Sequence, residues 1–425
     1  MDIINITSSE NNDSHSLKYT VKTSDDESKI WVESSHPITL ASDAGNAVLC
    51  ASLLPAMKLD EPIHLPLWVD PQLLNNTASL QDVFKNWYKE LSITTISTHT
   101  QSENKNEARR GTGLFFSGGI DSFYTLEKNK NNVTHIIYVY GFDIRLDEEE
   151  RSSKTSVKLR NIAKELDIEL IEIKTNLREF SDQHSPWGSH YHGSALAMIG
   201  HLLTPSLDKI YISSDFTYSQ MHPWGSHILT APLWNTEHSE QIFFGMDTPR
   251  FKKCEAIAEN QLAREFLGVC WEHKNSNYNC GECEKCVRTM TSLYIINSLQ
   301  YFSCFKNKLS ADLIKKTKIG SQASHIFTKE NLFYSAENKS DSEIQNALIS
   351  IINKYELKEI FKESRRFTNA ISLLCDDNMI RNQFIRELTL LDYPWLVKET
   401  IKAGIKNTDQ KFLRGLLSRF INSFK

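Results

Sequence analysis

In the first hundred residues apolar and polar positions alternate with a period of two. Leu17, Tyr19 and Val21 stand between polar neighbours, as do Ile30 and Val32, the pattern of half-buried strands. The run Ile63 to Val69, bounded by Pro62 and Asp70, predicts another strand. Leu80 to Leu91 spaces its apolar residues for a helix. Residues 1–100 therefore read as a small, strand-rich α+β unit, followed by a polar linker at 101–110 (QSENKNEARR).

From 111 to 300 the pattern changes. Short apolar runs at 113–116, 135–140, 168–173 and 209–213 alternate with helical periodicity at 121–129, 150–166 and 192–203. That alternation predicts an α/β domain with a doubly wound parallel sheet. Ligands of such sheets bind outside the carboxyl ends of the strands, so chemistry is expected in the loops that follow each run. Residues 310–425 read as mostly helical. Within them Leu413, Leu416, Leu417, Phe420, Ile421 and Phe424 share one helical face, as in a helix that docks on its own domain, on a partner or on a membrane surface.

Composition narrows the field. Of 425 residues, 40% are hydrophobic and 24% charged, which is ordinary for a globular protein, and the net charge of −5 makes a nucleic-acid partner unexpected. No run approaches the ~18 apolar residues of a membrane helix, and the polar N-terminus lacks a signal-peptide pattern. A cytoplasmic location is expected.

The run Leu114-Phe115-Phe116-Ser117-Gly118-Gly119-Ile120-Asp121-Ser122 goes from strand through a glycine loop to a helix. Adjacent glycines let the backbone bend tightly and bring N–H groups to phosphate oxygens. The helix N-terminus favours an anion, and Ser117 and Ser122 add hydroxyls. Asp121 would repel phosphate unless a cation intervenes, and Mg²⁺ is the natural mediator. No Walker-type GK[ST] is present, so γ-phosphate transfer is not expected.

This motif resembles the SGGxDS hallmark of the PP-loop ATP pyrophosphatase superfamily. The resemblance covers about 111–290 and implies an adenine-nucleotide α-hydrolase-like fold that splits ATP into AMP and pyrophosphate. It implies that Ser117, Gly118, Gly119, Asp121 and Ser122 hold the pyrophosphate, and that the backbone of Tyr140 and Gly141 meets the adenine.

Four cysteines, Cys270, Cys280, Cys283 and Cys286, have the spacing C-x9-C-x2-C-x2-C. Four soft ligands without an open position read as structural Zn²⁺, with an iron–sulfur cluster as the alternative. The knuckle is similar to that of the 7-cyano-7-deazaguanine synthase branch. Lys253-Cys254-Glu255-Ala256-Ile257 also resembles a stretch of that branch, which implies Lys253 as a cation near the reacting phosphate or carboxyl. Residues 184–240 do not resemble that branch's substrate loops, so a separate relative with its own substrate is expected.

Two ring-rich stretches fall on the expected active-site edge and share the repeat PWGSH at 186–190 and 223–227. Trp187, His190, His192, His222, Trp224 and His227 are candidates to stack on and hydrogen-bond a planar or carboxylated substrate; the histidines are also a conceivable second metal site. Asp215, just after the strand at 209–213, is placed to orient Mg²⁺ or a substrate donor. Arg145 and Arg250 are further candidates to grip a phosphate or carboxylate.

The expected function is an ATP-dependent C–N ligase. It adenylates a carboxylate or amide of a small molecule or peptide, releases pyrophosphate, and lets a nitrogen nucleophile displace AMP. Asp2 rather than Cys follows Met1, so a glutaminase nucleophile is not expected there and the nitrogen donor comes from elsewhere. A second copy of the chain or a protein encoded beside it is the expected macromolecular partner. The alternatives are sulfur insertion, for which Cys254 would supply the thiol, and a nucleotide-binding sensor or scaffold with little turnover.

Overall fold

The computed structural model describes residues 1–11, 14–100, 110–272, 279–338 and 341–374. Residues up to 308 form one compact unit and those from 309 a second. The linker at 101–109 and the apolar face at 413–424 lie outside the described residues.

The first unit opens with β1 (Asp2–Asn11), β2 (Ser14–Lys22), β3 (Glu27–Ser34), α1 (Gly45–Leu59), β4 (Ile63–Val69), α2 (Pro71–Trp87) and β5 (Ile96–Thr100). It continues through β6 (Gly111–Phe115), α3 (Ile120–Asn129), β7 (His135–Tyr140), α4 (Glu149–Leu166), β8 (Glu169–Thr175), α5 (Leu177–His184), α6 (His192–Leu202), β9 (Leu207–Ser213) and β10 (Glu240–Phe244). Helices α7 (Arg250–Ala256), α8 (Gln261–Phe266) and α9 (Glu284–Ile295) close it. The described part of the second unit is helical: α10 (Ala311–Lys316), α11 (Gln322–Glu337) and α12 (Ser342–Leu374), with α10 and α11 both packed on α12.

The described strands form one sheet in the order β10-β9-β6-β7-β8-β3-β2-β1-β4-β5. From β10 to β8 every pairing is parallel. Numbered along the chain from β6, this block reads 3-2-1-4-5 from β8 to β10, the order of a doubly wound sheet. Side-chain alternation separates its two faces. Val139, Ile173 and Ile212 join the core that holds α1, α5 and α6. Their neighbours Tyr140, Glu172 and Ser213 point the other way, to α4 and α3: the Tyr140 hydroxyl donates to Glu172 at 2.9 Å and Ser213 Oγ to Thr125 Oγ1 at 2.8 Å.

The first hundred residues do not close on a sheet of their own. β3 pairs antiparallel with β8 at Val32–Thr175, Glu33–Lys174 and Ser34–Ile173, so β1–β5 extend the parallel sheet. The cause is an edge: β8 would otherwise expose a row of unpaired backbone groups. The same core continues across the junction, from Leu17, Tyr19 and Val32 through α1 to Ala195 and Met198 of α6. Helix α1 is buried from Gly45 to Met57 and shows no amphipathic stripe. It starts so close to β4 that a Cβ at Gly45 would stand 2.0 Å from the Trp68 carbonyl oxygen.

Candidate functional site

The doubly wound order changes direction between β6 and β9, where outgoing loops diverge and leave a crevice. Both carry candidate residues. After β6 the chain passes through Ser117, Gly118 and Gly119 into α3. Gly118 has φ +74°, which a side chain would strain. Its carbonyl accepts from Gly268 N–H at 2.8 Å. Gly119 caps α3 without a side-chain acceptor, Ser117 Oγ accepts from Gly119 N–H at 3.4 Å, and Ser122 Oγ donates to the Gly119 carbonyl at 3.0 Å. The first-turn N–H groups have no partner inside the helix and face the loop, the geometry that receives an anion.

Charge is concentrated at this point. Asp121 is ion-paired to Arg250 and to Lys253, the latter at 3.4 Å, with side-chain exposures of 16%, 12% and 0% in that order. Lys253 also donates to the Ser214 carbonyl and lies 5.7 Å from the centre of the Tyr124 ring. Gly245, at φ +90°, leaves room for it: a Cβ there would meet Lys253 Nζ at 3.3 Å. Burial raises the Asp121 pKa, but Arg250 and Lys253 outweigh it and hold the carboxyl below its ordinary range. Asp215 goes the other way. Burial, and after it the Asp121 charge, push its carboxyl up, only partly opposed by Arg250 and Lys253. Two neighbouring carboxyls are thus driven apart in acidity, as where one stays ionised and the other handles a proton.

Tyr140 and Gly141 sit at the end of β7. Gly141 has φ +98°, and a Cβ there would lie 1.9 Å from the Thr175 carbonyl oxygen, so glycine is required. Its N–H already donates to the Ile144 carbonyl at 2.8 Å. The Tyr140 ring lines a cavity of about 670 Å³ between β3, β8 and α4, with Glu172, Arg160 and several serines. That cavity lies on the α4 flank, and none of the charged trio at the crevice lines it. Arg145 is an exposed surface residue paired with Asp147.

The cysteine sulfurs of residues 270, 280, 283 and 286 all lie within 4.8 Å of one another, close enough to bind a metal such as zinc. Gly281, at φ +74°, makes the tight turn, and the N–H groups of Glu282 and Cys283 donate to Cys280 Sγ at 3.4 and 3.2 Å. As free thiols they are crowded: the contact with Cys270 leads the effects that push Cys283 up to about 11. A divalent cation removes that conflict by binding thiolates. Asn279 binds the knuckle to the chain ahead of it, accepting from Val269 N–H at 3.0 Å and donating to the Leu267 carbonyl at 2.8 Å. Because Gly268 holds Gly118, the knuckle and the glycine loop share one short segment.

The two PWGSH copies pack on each other at equivalent positions, Gly225 N–H donating to the Gly188 carbonyl at 3.0 Å. Their histidines leave the crevice. His190 stacks on Tyr88 at 3.8 Å and pairs with Glu90 at 3.3 Å, and His227 packs on Trp87 at 4.9 Å. Both serve to seat the end of α2. Trp187, by contrast, packs on Phe142 and His192 with the Arg178 guanidinium 4.9 Å from its ring, and Trp224 lies 5.8 Å from His222. Burial holds the His192 ring below its usual range against the charges of Asp143 and Asp215. The four histidines do not converge as metal ligands; among the described residues they form no group of three.

One residue of this region had no counterpart in the sequence reading. Arg288, 8% exposed on α9, lies within electrostatic reach of Arg250, Asp215 and Asp121. Its signal was weak: an arginine two positions after the last knuckle cysteine, on the apolar side of a helix. Among the described residues no helix is long and apolar enough to cross a membrane. No protein-family model matches the chain, and searches of curated proteins and of solved structures find no match.

Proposed function

We propose that this chain is an ATP-dependent ligase that activates a carboxylate or amide oxygen by adenylation and joins it to nitrogen. The observation that carries the reading is Asp121 held between Arg250 and Lys253 beside the glycine loop, at the turning point of the parallel sheet.

In this reading Ser117, Gly118, Gly119, Ser122 and the first-turn N–H groups of α3 hold the pyrophosphate part of ATP. Arg250 and Lys253 exchange Asp121 for phosphate oxygens. Asp121 and the loop hydroxyls would hold Mg²⁺, which when bound neutralises phosphate charge. The substrate oxygen attacks the α-phosphorus, the bond to pyrophosphate breaks, and an adenylate results, acyl from a carboxylate or imidoyl from an amide that gives up an N–H proton. A nitrogen nucleophile then displaces AMP. Asp215, with its raised pKa, is suited to take the proton that nitrogen loses. In this reading Trp187, His192, His222 and Trp224 would recognise the substrate, while His190 and His227, packed against Tyr88 and Trp87, would not.

Sulfur insertion has less support, because Cys254, the thiol nearest the charged trio in sequence, is only 2% exposed. The test is product analysis. Incubated with ATP, Mg²⁺, ammonia and a metabolite pool, the protein is expected to release AMP and pyrophosphate in equal amounts, and Asp121→Asn to release neither. Release of ADP and phosphate, or undiminished AMP from Asp121→Asn, would refute the assignment.

A further inference from the structure

At the opposite end of the parallel strands, far from the loops just described, three side chains from three separate segments converge. His135 opens β7 and Glu169 opens β8, and the two are direct partners in the parallel ladder. His36 arrives from the turn after β3. Glu169 Oε2 lies 3.0 Å from His36 Nε2 and 3.7 Å from His135 Nε2, and the three atoms are all within 4.8 Å of one another. Ligand atoms placed tetrahedrally about 2.05 Å from zinc stand roughly 3.3 Å apart, close to the two distances from the Glu169 oxygen to the rings.

The far nitrogens of both rings are held as they are around bound metals. His36 Nδ1 is 3.0 Å from Ser35 Oγ, and His135 Nδ1 is 2.7 Å from Thr134 Oγ1. Thr134 Oγ1 accepts from Thr112 N–H at 2.9 Å and lies 3.2 Å from the Thr112 carbonyl, an acceptor for its own hydrogen, which leaves its second lone pair for Nδ1–H. Ser35 is fixed in turn by two bonds to the Glu172 backbone, at 3.0 and 2.9 Å. In the tautomer that donates Nδ1–H to these hydroxyls, each Nε2 offers a lone pair beside the same carboxylate oxygen. In that arrangement the three acceptors are placed to share one cation.

We propose that His36, His135 and Glu169 form a second divalent-metal site, selective for zinc-like ions, with three protein ligands and a fourth position open to water. Glu169 is 65% exposed, so the open position faces solvent. The site bridges the seam where the N-terminal strands join the parallel block, which is otherwise held by the short β3–β8 pairing. Its occupant is a metal-binding clip between the two parts of the sheet, independent of the knuckle and of the proposed ligase chemistry.

The experiment is a metal count on the full chain. Wild type, His36→Asn, His135→Asn and Glu169→Gln are equilibrated against the same buffered free Zn²⁺ and zinc per chain is measured by mass spectrometry. Each variant is expected to hold one zinc fewer than wild type, whatever the knuckle contains. Glu169→Gln is nearly isosteric at an exposed position and keeps the comparison sound if a histidine variant folds poorly. Zinc is also expected to raise the melting temperature of wild type more than that of Glu169→Gln. Equal zinc content in wild type and Glu169→Gln would overturn the proposal.

Discussion

The two halves of the sheet treat buried polar groups differently. In the half built on β1–β5 such groups serve the backbone. Asp70 caps α2 by accepting from Gln72 N–H at 2.8 Å, Asn46 accepts from Asp70 N–H at 2.8 Å, and Gln81 accepts from Thr94 N–H at 2.7 Å. The half built on β6–β10 holds such groups too, among them His201 and Asn279, but adds a buried cluster of charges that satisfy one another: Asp121 with Arg250 and Lys253. Caps stabilise directly. Buried ion pairs do so poorly, because desolvation offsets much of their attraction. A cluster with so little structural return, placed at a sheet's turning point, is better explained by a charged ligand it is built to receive.

The largest effect expected within the charged half comes from its support. Cys283→Ser removes one of four ligands, and structural zinc contributes on the order of 10 kcal/mol to folding in small domains. The variant is expected to lose the knuckle's zinc, to melt far below wild type and to bind ATP weakly, because Gly118 depends on Gly268. Full zinc content and an unchanged melting curve would count against the knuckle.

Next in size is Asp121→Ala, which leaves two buried cations without their carboxylate and should cost about 3–5 kcal/mol in urea denaturation. A loss below about 1 kcal/mol would mean that Arg250 and Lys253 find water or other partners easily.

The same half carries an acid sensitivity. His201, buried on α6, donates from Nε2 to the Trp234 carbonyl at 2.8 Å, and burial lowers its pKa from 6.5 to about 4. The unfolded chain therefore binds more protons between those values, and stability falls as pH drops through that window. His201 is expected to contribute about 2 kcal/mol of the loss between pH 7 and pH 4.5, so His201→Gln should lose about that much less than wild type over the same interval. Asp70→Ala, on the other side of the comparison, should cost only about 1 kcal/mol and leave ATP binding unchanged.

Part of this was legible in the chain. β4 and β7 were readable to the residue because turn residues bound one and a continuous apolar run marks the other. The glycine loop was readable because strand, SGG and helix leave one local geometry. Helix α1 was not, since a helix buried on every side has no periodicity to detect. The short β10 was hidden for want of length. The β3–β8 pairing joins residues about 140 apart, and no local pattern encodes it. The repeat drew attention to its tryptophans and histidines together. Only packing separates His190 and His227, seated on Tyr88 and Trp87, from His192 and His222. Arg250 and Lys253 stood out as basic residues, but their convergence on Asp121 depends on a fold contact across about 130 residues.

The most direct measurement is a crystal of the full chain grown with Mg²⁺ and a non-hydrolysable ATP analogue. The account predicts phosphate density against Ser117–Ser122, with Arg250 and Lys253 turned from Asp121 to phosphate oxygens. An empty loop with the Asp121 ion pairs intact, and the nucleotide elsewhere or absent, would contradict it.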